Sequence, residues 1–291
     1  MKPVLRRLPT KPVVPLSFHH IKCRESVLKK QPIQINLHGF LGSKTMFHSL
    51  NKIVSREMAT DIYTLDLRNH GDSPQAHPMT YETLTNDLIY FIKEKLDDKE
   101  VSDRGVDIVG FSMGAKVGLL AAIRLAQERI IKRIVSIDMP PYKTPVLPME
   151  LIQHMELIRN LHSGTMELKA GSKSWREECV GLLGWYFASG FLKVKGNAEP
   201  RSHIKYFLPI EEFPDILEVL KDWPATTPST QCVDTKVLFM RALYSPLFNA
   251  DYKLLNKNFP KHQVKEFKTS HNLLFEDFEN ASTTIINFLK R

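Results

Sequence analysis

Two kinds of apolar pattern alternate along the chain. Short compact runs at Ile33–Leu37, Ile62–Leu67, Val106–Val109, Ile131–Ile137, Lys236–Met240 and Gln263–Phe267 have the length and composition of buried strands. Between them apolar residues recur at helical spacing in Phe47–Met58 (Phe47, Leu50, Ile53, Val54), Tyr81–Leu96 (Leu84, Leu88, Phe91, Ile92), Ala115–Gln127, Asp251–Asn258 and Ala281–Leu289. Leu16–Cys23 reads as an edge strand or a short hairpin. Strand and helix alternating at this interval predict βαβ units, and so an α/β fold with a mostly parallel central sheet covered by helices on both faces.

The alternation breaks at Pro140 and resumes only near Lys236. The intervening stretch is helical in pattern, rich in aromatics (Trp175, Trp185, Tyr186, Phe187, Phe191) and in prolines. An insert of this kind within one sheet predicts a helical cap over the carboxyl edge of the strands, where open α/β sheets bind ligands. The expected organisation is a basic N-terminal tail at 1–14, a core formed by 15–139 and 232–291, and a cap at 140–231. With Leu16–Cys23 counted as a hairpin, the cap follows the sixth strand.

Composition narrows the function classes. With 291 residues, 43% of them hydrophobic, the chain can build a sizeable core, and no run of 18 apolar residues predicts a membrane-spanning helix. The net charge of +8 looks like a nucleic-acid signal until it is located. Residues 1–30 carry eight basic side chains against Glu25 alone, while the rest of the chain carries 32 basic and 31 acidic ones. The body is therefore nearly neutral and offers no basic stripe to phosphates. The basic, acid-poor start suits a mitochondrial targeting segment, although Pro3, Pro9, Pro12 and Pro15 disfavour a continuous amphipathic helix; a cytoplasmic protein with a solvated tail is the alternative. Cys23, Cys179 and Cys232 are too few and too scattered for a disulfide framework or a zinc site, so no metal is expected.

Chemistry enters at Gly110-Phe111-Ser112-Met113-Gly114, set between an apolar strand and a helix. This G-x-S-x-G arrangement is that of a nucleophile elbow, which projects a serine from a tight strand-to-helix turn. A serine hydroxyl requires a base, and the base an orienting acid. His271 follows the last strand, where the base of such a fold belongs. For the acid, no carboxylate follows Lys236–Met240 until Asp251, whereas Asp138 stands at the tip of the strand after the elbow helix. Asp138 is favoured, with Asp251 as the alternative. The backbone amides of Met113 and of Phe40, after His38-Gly39, are expected to form the oxyanion hole. Gly39-Phe40-Leu41-Gly42-Ser43-Lys44-Thr45 is not a phosphate loop, because only two residues separate its glycines and Ser43 precedes Lys44. A serine rather than a carboxylate at the elbow disfavours dehalogenase and epoxide hydrolase chemistry.

Together, His38-Gly39-Phe40-Leu41-Gly42-Ser43-Lys44-Thr45, Asp66-Leu67-Arg68-Asn69-His70-Gly71-Asp72-Ser73-Pro74 and Gly110-Phe111-Ser112-Met113-Gly114-Ala115-Lys116 resemble a subgroup of the α/β-hydrolase superfamily. That subgroup holds the abhydrolase domain-containing protein 11 type, small bacterial acyl esterases and the yeast ethanol acetyltransferases. The resemblance implies an α/β-hydrolase fold, a triad acid at Asp138 and a fourth site residue at Ser245. It further implies short-chain acyl esters or thioesters as substrates, and for the yeast members acetyl transfer from acetyl-CoA to an alcohol in mitochondria. Phe111 departs from the pattern, since histidine is more usual there. The expected function is acyl transfer through an acyl-serine: alcohol O-acetylation with esterase and thioesterase side activity, no cofactor, and acetyl-CoA as a co-substrate. One alternative is an ester hydrolase or thioesterase with water as sole acceptor. Another is a non-catalytic α/β-hydrolase that serves as a binding protein.

Overall fold

The computed structural model describes residues 10–23, 31–168, 175–192, 194, 204–208, 210, 213–224, 234–249 and 251–290. Seven strands form one sheet: β1 (Phe18–Ile21), β2 (Ile33–Leu37), β3 (Ile62–Leu65), β4 (Val106–Phe111), β5 (Ile131–Ile137), β6 (Lys236–Ala242) and β7 (His262–Phe267), in the order β1-β3-β2-β4-β5-β6-β7. Only β1 runs antiparallel, against β3. The helices between β2 and β5 are α1 (His48–Glu57), α2 (Tyr81–Glu94), α3 (Asp98–Arg104) and α4 (Met113–Arg124). Between β5 and β6 lie α5 (Met149–Ser163), α6 (Trp175–Leu192) and α7 (Phe213–Lys221). The chain closes with α8 (Tyr252–Asn258), α9 (Leu273–Glu276) and α10 (Phe278–Leu289).

Because successive strand residues face opposite sides, β4, β5 and β6 feed two cores, whereas β2 sends Ile33, Ile35 and Leu37 into one and carries the buried polar Gln34 and Asn36 on its other face. Ile108 and Ile134 pack with Leu84, Leu88 and Phe91 of α2 and with Val117 and Leu119 of α4. Their neighbours Val109 and Val135 pack on the other side with Leu50 and Val54 of α1 and Ile285 and Leu289 of α10. This is why β4, β5 and β6 set apolar residues side by side rather than in alternation. The start of α2 is set by Thr80, whose hydroxyl accepts from Thr83 N–H in a capping box, an arrangement worth about 1 kcal/mol.

Three expectations need correction. Of the two readings of Leu16–Cys23 the edge strand is the one found, paired with Ile62–Leu65 at the margin of the sheet, so the helical insert follows the fifth described strand rather than the sixth. Residues 10–14, assigned from the sequence to a tail, are held against the core: Val14 is buried with its N–H on Asp87, and the Lys11 and Pro12 carbonyls accept from Arg68. Residues 1–9 lie outside the described residues. Finally, α3 and α9 stand where the sequence pattern predicts no helix: α3 buries Val101 alone and so shows no apolar period, and α9 is a single turn.

Candidate active site

Sheet register brings the chemistry together. The strand order reverses direction at β2 and β4, and the loops leaving these two neighbours carry Phe40 and Ser112. From there the strand ends step outward through backbone pairs: Ser112 N–H donates to Ile137 O, Asp138 N–H to Met240 O, and Tyr244 N–H to Thr269 O. Ser112, Asp138 and His271 therefore leave the same edge of the sheet, after β4, β5 and β7, with β6 between the last two.

Ser112 has φ 51° and ψ −117°, a strained conformation for a side-chain-bearing residue, at the N-cap of α4. The flanking glycines are required by space. A Cβ on Gly114 would lie 2.4 Å from the Leu37 carbonyl oxygen, and one on Gly110 would lie 2.4 Å from Ala115 Cα. The turn thus packs directly on β2 and on its own helix. Met113 N–H, the first amide of α4, has no helical acceptor, and the helix dipole adds partial positive charge there.

Asp138, also at positive φ (47°), is fully buried. Its Oδ1 accepts from Ala242 N–H at 3.0 Å and its Oδ2 lies 2.7 Å from His271 Nδ1. This carboxylate defines the imidazole orientation and its Nδ1–H tautomer, leaving Nε2 for other work. The Phe111 ring stacks on His271 at 4.8 Å between centroids, so the residue that departs from the family pattern acts as a platform for the imidazole. Asp251 is elsewhere: it is exposed and caps α8, accepting from Lys253 and Leu254 amides. Ser245 lies in the turn after β6, where its Oγ accepts from Leu247 N–H at 3.3 Å. Leu247 in turn lines a cavity shared with Ser112 and His271.

Ser112 and His271 together line two small cavities. One, about 20 Å³, is walled by Tyr81, Met139, Leu147, Leu151, Leu220 and Leu247. The other, about 40 Å³, is bounded by Phe40, Phe111, Leu151, Tyr186 and Phe187. Glu150, Tyr186, Phe187 and Asn272 are shared with a groove of about 540 Å³ that runs past Gly42, Met46, Leu183 and Phe275. The insert therefore covers the serine, and this groove adjoins the covered site.

The Arg68–Pro74 turn, the most specific part of the sequence signature, is scaffolding. Arg68 and Asp87 form a fully buried bidentate pair (2.8 and 2.9 Å). Asp66 accepts from Lys44 N–H, from Lys44 Nζ and from Asp72 N–H, and these hydrogen bonds hold its pKa below the usual carboxylate value despite burial. His38 accepts from Leu67 N–H at Nε2 and donates from Nδ1 to the Gly39 carbonyl; it packs beneath the site, with no ring nitrogen left over for proton transfer.

Two residues could not be recognised from sequence. Lys116, four positions after Ser112, is fully buried, lies 4.9 Å over the Tyr81 ring and donates to the Leu220 and Asp222 carbonyls at the end of α7. Burial lowers its pKa to about 7, opposed by Asp222. Tyr186, from α6, donates to the Phe40 carbonyl at 2.9 Å. Both link the insert to the core, and neither link is visible without the fold. Among the described residues, no cluster of three His, Cys, Asp or Glu side chains is placed to hold a metal ion, and no helix is long and apolar enough to cross a membrane.

Comparison with known proteins agrees with this architecture. Residues 34–173 match the family described as alpha/beta hydrolase fold. Ethanol acetyltransferase 1 of Cyberlindnera fabianii is 27% identical, with 94% of this chain and 85% of that protein aligned. Its namesake from Kluyveromyces lactis is 29% identical, covering 97% and 81% respectively. A marine microorganism esterase of known structure superposes with a TM-score of 0.74 at 19% identity, covering 94% of this chain and 99% of its own. The chain thus has the α/β-hydrolase fold, and its residues 34–173 match the model of that family.

Proposed function

We propose that the protein is a serine acyltransferase that moves a short acyl group, acetyl first among them, from a thioester or ester to an alcohol. The observation that carries this reading is the Asp138–His271 contact of 2.7 Å beside a serine at an elbow, with serine and imidazole lining the same cavities. Ser112 Oγ attacks the acyl carbonyl while His271 Nε2 takes its proton, and Asp138 stabilises the imidazolium that results. Amides of Met113 and Phe40 receive the oxyanion. Collapse of the tetrahedral adduct breaks the bond to the thiolate or alkoxide, which leaves with the proton held by His271. An alcohol then adds to the acyl-serine carbonyl with His271 again as base, and Ser112 is regenerated as ester departs.

An apolar recess of about 20 Å³ against the serine suits the methyl of an acetyl group and little more. The ethanol acetyltransferase relatives support acetyl-CoA as donor and ethanol as acceptor. The test is intact mass after brief mixing with acetyl-CoA: an acetyl adduct is expected on the wild type and none on Ser112→Ala. With ethanol present, ethyl acetate should form alongside acetate. Acetate alone at high ethanol would replace the transferase reading with that of a hydrolase. Failure of a fluorophosphonate probe to label Ser112 would leave a binding protein. The basic first 30 residues further support a mitochondrial location, which import into isolated mitochondria with and without those residues would test.

A further inference from the structure

The Phe40–Leu41 peptide is gripped from both sides by residues outside its own loop. Its carbonyl accepts from Tyr186 Oη at 2.9 Å, and its N–H donates to His70 Nε2 at 3.2 Å. His70 is committed to that acceptor role because its Nδ1 faces the Arg68 carbonyl at 2.8 Å. Leu41 holds φ 65°, a left-handed conformation that an L-residue with a bulky side chain adopts only at a cost of about 1–3 kcal/mol. The strain is therefore held by two hydrogen bonds on one peptide plane, one from the core and one from the insert.

The approach of Tyr186 is built into the loop. A Cβ on Gly42 would lie 2.6 Å from the Tyr186 hydroxyl, and one on Gly39 would lie 3.2 Å from it. Two residues before Tyr186, α6 is interrupted at Gly184 (φ 68°, ψ 161°), a conformation open to glycine alone, and this kink re-aims the following turn. Burial pushes the Tyr186 pKa upward, so the hydroxyl stays protonated and remains a donor.

We infer that Tyr186 is a positioning residue for the oxyanion hole, pinning the Phe40–Leu41 peptide so that the Phe40 amide faces the acyl oxygen only while the insert is docked. Without the tyrosine hydroxyl, rotation of that peptide relieves Leu41 and carries Phe40 out of register. Docking of α6 thus becomes a condition for acylation, and an open enzyme holds Ser112 without a complete electrostatic trap. The inference rests on the acyl-serine reading above.

Tyr186→Phe tests it, because the ring and its contacts with Phe187 and Phe275 are kept. With an activated acetate ester, kcat should fall by roughly 10- to 100-fold, below the loss of a whole oxyanion donor, with KM within about twofold. Affinity for a trifluoromethyl ketone, which forms a tetrahedral adduct on the serine, should fall by the same factor. Unchanged kcat and adduct affinity, or a loss wholly in KM, would overturn the inference while leaving the acyl-serine mechanism intact. If the wild type itself forms no adduct at Ser112, both fall together. His70→Asn, which can still accept from the Leu41 amide, should retain more activity than His70→Ala; equal losses would count against a role for that peptide.

Discussion

His271 Nδ1 and Asp138 Oδ2 meet at 2.7 Å although 133 residues separate them. The contact depends on two backbone pairings between strand ends, Asp138 with Met240 and Tyr244 with Thr269, so any residue shift in β5, β6 or β7 would break it.

Replacing Asp138 with Asn keeps the shape of the side chain and removes the acceptor that orients the imidazole. Acyl transfer should fall by about 10⁴-fold in kcat. Asp251→Asn, at the cap of α8, should leave kcat within twofold and stability little changed, because the Asn side-chain oxygen can still accept from the Lys253 and Leu254 amides. Steady-state kinetics on the pair checks the assignment, and the reverse pattern would transfer the acid role to Asp251.

Phe111 supports the His271 ring from the elbow. Phe111→Ala should loosen the imidazole and lower kcat by roughly 2- to 10-fold, in line with an aromatic pair worth about 0.5–1.5 kcal/mol. The packing loss should also lower the melting temperature. Phe111→Tyr should retain most of the rate; a larger loss than in Phe111→Ala would argue against the platform role.

Leu247 and Leu220 close the recess beside Ser112. Leu247→Ala should open room for two or three methylene groups, raising the ratio of kcat/KM for butanoyl over acetyl esters by about 10-fold or more. A chain-length series measures it, and an unchanged ratio would place the acyl chain elsewhere.

Lys116 gives a pH signature. Burial lowers its folded-state pKa from 10.5 to about 7, so between these values the unfolded chain binds a proton that the folded one does not. Stability from this group therefore rises with pH across that window, by about 1.4 kcal/mol for each pH unit crossed. The stability of the wild type relative to Lys116→Met should improve between pH 7 and pH 10 in denaturant titrations. A difference independent of pH would mean that the carbonyls of Leu220 and Asp222 keep the ammonium charged throughout.

Much of the architecture follows from local pattern. The apolar stretches of β4, β5 and β6 are legible because strands buried on both faces set apolar residues side by side, as in Ile108-Val109, Ile134-Val135 and Val237-Leu238-Phe239-Met240. The elbow is legible because its glycines answer steric demands made by the next turn of chain and by β2. Even Asp138 could be favoured over Asp251 from its position at a strand tip.

What sequence alone determined, then, is the order of the elements, the elbow and its Ser112, and the loop position of His271, because each obeys spacing rules within a few residues. The tertiary structure decided the rest. It made Asp251 a helix cap, set Phe111 under the imidazole, buried Lys116 on the end of α7 and brought Tyr186 to the Phe40 carbonyl. These are contacts between segments far apart in the chain, several of them reaching across a helical insert. No local periodicity encodes them, since they arise only when register and packing bring the partners within hydrogen-bonding distance.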